Sequence, residues 1–125
     1  MATKKKSALQ LAKDHLKRAQ VAAADPTDWL ELATFGFYAL EAAVVAAGEH
    51  VGKPVKKTHP GKVEVAAWLA KKHALPDVSD LLYTLNMARK SEAYGDVDFP
   101  EGLDADEVSA GIDEFVDAVS DFIKK

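Results

Sequence analysis

The stretch that decides the fold is "TDWLELATFGFYALEAAVVAAGEHV", residues 27–51. Leu30, Ala33, Phe37, Leu40, Val44, Ala47 and Val51 recur at three- and four-residue steps, the spacing of one helical face. Trp29, Leu32, Gly36, Ala39, Ala43 and Ala46 make a second apolar face beside the first. A helix apolar on two sides belongs at the centre of a bundle or against a partner chain. At ~1.5 Å per residue it runs for roughly 37 Å. Thr27 is expected to cap it.

Outward from this helix the pattern stays helical. Ser7 can cap a first helix carrying Leu9, Leu16, Ala19 and Ala23, which ends near Pro26 because proline disfavours helix in the residue before it. "GKPVKKTHPGK", residues 52–62, has no apolar period and is expected to be a loop. A third helix over about 61–74 offers Val65, Trp68 and Leu69 for burial. Pro76 is placed to open a fourth, which presents Val78, Leu82 and Leu85 on one seam. After a second loop, Asp104 with Glu107 has the form of a capping pair. Val108, Ile112, Phe115, Val119 and Phe122 then stripe a last helix. With no period-two alternation and no repeat, the class is all-α: an antiparallel four- to five-helix bundle spanning 1–125 as one domain.

Composition narrows the chemistry. A 125-residue chain can bury a core of its own without metal or disulfide. It has no cysteine, which removes disulfides, thiolate catalysis and cysteine zinc sites. The charged start lacks a signal peptide's apolar core, and no uninterrupted apolar run reaches the ~20 residues of a membrane span. These features predict a soluble, cytoplasmic protein that does not engage a membrane. The net charge of −4 conceals segregation. Residues 1–24 and 53–72 each carry six basic side chains against one acid, and from Asp77 onward thirteen acids face four bases. That balance argues against a general DNA binder and permits one positive face for phosphates.

The fourth helix poses the functional question. The seam that holds Leu85 continues to Arg89 and then Glu92. A guanidinium buried at an apolar seam needs Glu92, another carboxylate or a bound anion; the plainer alternative is a partly exposed arginine held by Glu92, its stem covering apolar surface. The four histidines, His15, His50, His59 and His73, show no HExxH or i, i+4 spacing, so no metal site is expected. His15 and His73 are expected to face solvent. His59 stands among Lys56, Lys57 and Lys62 in the basic loop, either starting the third helix or serving as an imidazole catalyst. No P-loop, nucleophile elbow or kinase motif is present. The aromatics, among them Trp29, Trp68, Phe35, Phe37 and Tyr38, lie among Ala and Leu and read as packing.

Three pieces, "FGFYALEAAVVAAGEHVG", "KKTHPGK" and "LLYTLNMARKSEAYGD", together resemble a HEPN domain, the higher eukaryote and prokaryote nucleotide-binding family. The resemblance implies a dimer whose arginine-bearing helices face one another across a cleft, and a place in toxin–antitoxin, defence or RNA-processing systems. Ribonuclease members, which need no metal, carry a histidine after four to six residues beyond the motif arginine. Here Tyr94 stands at the fifth position after Arg89, and no histidine follows. A free phenol is only ~0.1% ionised at neutral pH and is a poor base.

The resemblance therefore points to a homodimeric module that binds RNA or a nucleotide phosphate without cofactor. Arg89, Glu92, Tyr94, Lys56, Lys57 and Lys62 are its candidate ligand-binding residues. One alternative is a metal-independent ribonuclease using Arg89 with Tyr94 or His59. Another is an interaction bundle that docks a cognate antitoxin or nucleotidyltransferase.

Overall fold

A computed structural model describes residues 7–95 and 97–124. The chain forms five helices: α1 (Ala8–Ala23), α2 (Trp29–His50), α3 (His59–His73), α4 (Ser79–Tyr94) and α5 (Ala105–Lys124). No strand occurs among the described residues. The bundle is built around α2, which packs against all four other helices, while α1 also meets α5 and α3 also meets α4. Both apolar faces of α2 are therefore used inside one chain, except that Leu30, expected in the first stripe, is exposed. Phe37, Leu32, Leu40 and Val44 from α2 are fully buried with Leu69, Leu82, Leu85, Ile112 and Phe115. By length and composition alone α2 could cross a membrane, but 61% of its most apolar window is buried within the bundle.

Close approach at the centre depends on Gly36. A Cβ there would lie 2.6 Å from Ile112 Cδ1 and 3.3 Å from Leu85 Cδ1, so the bare backbone lets α4 and α5 both reach α2.

The helix ends follow local chemistry. The Ser7 hydroxyl accepts from Gln10 N, as expected of an N-cap. At α2 the cap is Asp28 rather than Thr27: its carboxylate accepts from Glu31 N at 3.1 Å. An anion suits the positive end of a helix better than a hydroxyl, and the Thr27 hydroxyl instead donates back to Ala23 O. Helix α3 begins at His59, inside the segment expected to be loop, because Thr58 Oγ1 accepts from Gly61 N. Helix α4 begins at Ser79, three residues beyond Pro76. There the Asp77 carboxylate accepts from both Ser79 N and Ser79 Oγ. Those two bonds hold the Asp77 pKa below its ordinary value.

Candidate functional site

Phe37 faces the junction of α3 and α4, and the polar groups gather around it. One turn further along α2 stands Glu41, 6% exposed and the one buried carboxylate among the described residues. Its Oε2 lies 2.6 Å from His59 Nδ1 and its Oε1 3.6 Å from Lys62 Nζ. Burying a carboxylate is unfavourable unless it is paired. Here two basic groups from the first turn of α3 supply the pairing. With an ionised carboxylate as acceptor, a neutral His59 carries its proton on Nδ1 and leaves Nε2 as the free base nitrogen.

The His59 ring meets Phe37 edge-on, with centroids 5.0 Å apart. The guanidinium of Arg89 lies over the same Phe37 ring, its Cζ 5.3 Å from the centroid. One aromatic ring of α2 thus carries an imidazole from α3 and a guanidinium from α4. Arg89 Nη2 donates to Asn86 Oδ1 at 2.6 Å, whereas Arg89 Nε is buried with no hydrogen-bond partner. An orphaned buried donor costs ~1–3 kcal/mol, so this guanidinium is not optimised for the unliganded fold. Phe37 and Asn86, the two side chains that Arg89 touches, line a cleft of about 510 Å³ with His59, Leu82, Tyr83 and Lys90 among others; Arg89 itself lies behind that wall. Such a volume suits a small ligand or a single nucleotide.

The sequence-derived candidates separate into two groups. Arg89 and His59 meet at Phe37, and Lys62 reaches Glu41 one turn along α2. Glu92 is exposed, and Arg89 binds Asn86 in its place. Tyr94 is 70% exposed. Five residues on from Arg89, it is turned by roughly 140° around the helix, away from the arginine's face. Lys57 is exposed in the loop, and Lys56 lines a different hollow beside Trp68. His15 and His73 do not simply face solvent. His15 packs near Phe35 and Tyr38, and His73 lies 5.2 Å from both Trp68 and Phe122. Among the described residues, no group of three metal-ligating side chains comes together.

Glu41 and Asn86 escaped the sequence reading. Glu41 left a usable signal, because it is the one acid between Glu31 and Glu49 in the most apolar helix of the chain. A lone carboxylate on such a face must find a cation or remain a buried cost.

Fold and cleft together define an all-α bundle with a composite site in which glutamate, histidine and arginine come from three different helices. No family model, curated protein or solved structure matches the chain.

Proposed function

We propose that this protein is a HEPN-like module that binds RNA or a nucleotide phosphate in the Phe37 cleft, acting in the cytoplasm as a homodimer. The observation that carries this reading is Arg89: half-buried, cradled on an aromatic ring, and holding one buried N–H without a partner behind Phe37 and Asn86, which line an open cleft. Once Nη2 turns from Asn86 toward the cleft, the Nε–H and Nη2–H groups along one guanidinium edge form the two-pronged donor that matches two phosphate oxygens. Lys90 adds a second cation at the rim, and Tyr83, two-thirds exposed, offers a ring face for a base. Toxin–antitoxin, defence or RNA-processing roles, with an antitoxin or nucleotidyltransferase as partner, accompany the family resemblance.

The test is fluorescence-anisotropy titration of labelled RNA at low salt with wild type and Arg89→Ala. The expected result is a loss of affinity of at least about tenfold with helical circular dichroism intact. Equal affinities would remove Arg89 from the site and with it this reading.

A second reading, metal-independent RNA cleavage, is favoured by the His59–Glu41 contact. Glu41 fixes the imidazole so that Nε2 can take the proton of a ribose 2′-hydroxyl. The resulting oxyanion attacks the adjacent phosphorus, and Arg89 stabilises the charge that develops there. The P–O5′ bond breaks, the 5′-oxygen takes a proton from the imidazolium, and a 2′,3′-cyclic phosphate remains. His59 thereby does what the family motif assigns to the histidine that Tyr94 replaces. Incubation of mixed RNAs in EDTA should yield cyclic-phosphate ends, with His59→Ala slower by about 10²-fold or more. Intact RNA at micromolar protein leaves only binding.

A further inference from the structure

A second hollow lies on the other side of the amino-terminal turns of α3. It has a volume of about 280 Å³ and is lined by Lys53, Lys56, Glu64 and Trp68 among others. Lys53 Nζ stands 4.9 Å from the Trp68 ring centroid. Glu64 also lines the Phe37 cleft, so the two hollows share one wall. Each combines aromatic surface with cations. Tyr83, 66% exposed, and His59 accompany Lys90 on one side; Trp68 accompanies Lys53 and Lys56 on the other. Ring faces interleaved with positive charge are what an unpaired strand requires, because every base offers a face and every phosphate a charge. In the linear sequence this interleaving is hidden, since the residues come from the 52–58 loop, α3 and α4.

We propose that the two hollows are successive base sites of one track for single-stranded RNA, crossing the amino-terminal turns of α3. The proposal rests on the reading of the Phe37 cleft as a phosphate site and adds the substrate class: an unpaired strand longer than one nucleotide, in preference to a duplex or a mononucleotide. A base on the Trp68 indole takes the face that the Lys53 ammonium now covers, and leaves that ammonium free to meet a phosphate. Glu64 on the shared wall repels phosphates and accepts from the amino groups of bases, which orients the strand with its bases inward. From His59 to Trp68 the helix rises roughly 13 Å, a span that needs more than one nucleotide. A duplex keeps its base faces stacked and supplies neither hollow with a ring.

The experiment uses the full chain carrying Trp29→Phe, which makes Trp68 the single indole, since the sequence has two tryptophans. It is titrated with adenosine monophosphate, with adenosine oligonucleotides of two, four and eight units, and with an eight-pair RNA duplex. The tetramer and octamer should quench Trp68 emission and bind on the order of tenfold tighter than the mononucleotide, the gain expected from one added stacked base. Trp68→Leu in the otherwise wild-type chain should abolish that gain in anisotropy and leave mononucleotide affinity unchanged. Lys53→Gln, a loop change that leaves the core intact, should reduce the same gain. Equal affinity for monomer and octamer without quenching overturns the track and spares the cleft. Binding of the duplex more tightly than the strand also overturns it. No binding of any RNA at low salt overturns the track and the phosphate reading together.

Discussion

Arg89 is held by one hydrogen bond and one ring, and its Nε has no partner. A side chain retained for stability would be expected to saturate its donors, whereas one retained for a ligand can leave a donor waiting. The two cases separate cleanly in Arg89→Met. Methionine keeps an apolar stem over Phe37 and removes the charge and the orphaned N–H. We expect folding stability in urea to be unchanged or raised by about 1 kcal/mol, with RNA affinity lost. A destabilisation of several kcal/mol would instead make Arg89 a structural residue. Arg89 was visible in the sequence because a seam of Val78, Leu82 and Leu85 ran into a charge. Its partner was not. Glu92 sits at the right helical step, but an exposed carboxylate has water to solvate it, and Asn86 one turn earlier takes the guanidinium without the need to desolvate a second charge. Tyr94 drew notice by its place in a motif, while helical geometry turns it from the arginine's face.

At the scale of elements, the stripes of α2 and α5 were legible because burial and periodicity coincide there, with Ile112, Phe115 and Val119 all inside. The boundaries were less so, since a cap is decided by which side chain reaches the free amides, and Asp28 and Thr58 reach them. Two ends yield predictions. Helix α3 closes at Ala74 with φ of 57°, the one described residue other than glycine in left-handed backbone. A Cβ there costs about 1 kcal/mol relative to glycine. Ala74→Gly should therefore raise the unfolding free energy by about that amount in urea denaturation, and no gain would mean that the turn is held by something besides its own backbone. At the start of α4, Asp77 accepts two bonds from Ser79, which lowers its pKa in the folded state. A lowered folded pKa contributes stability above the unfolded value near 4, and that contribution disappears as pH falls through the folded value. Asp77→Ala should thus cost at most about 1 kcal/mol at pH 7, since solvent screens an exposed carboxylate, and progressively less as the pH falls below the unfolded value, measured by urea unfolding across that range. An equal cost throughout would assign the effect to packing rather than charge.

At the scale of the whole molecule, the chain sets its basic segments and its acidic carboxy-terminal half on different helices around one apolar axis, α2. The two-sided apolar character that made α2 a candidate partner surface is consumed within the bundle, except at its start, where Leu30 is exposed. The surface we propose for recognition is the polar, aromatic-rich region around the start of α3. The most direct measurement is a crystal structure of the protein with a short single-stranded RNA bound. Phosphate oxygens are expected within about 3 Å of the Arg89 guanidinium, with a base against Tyr83. RNA bound elsewhere on the bundle, with Arg89 still on Asn86 and the Phe37 cleft untouched, would contradict it.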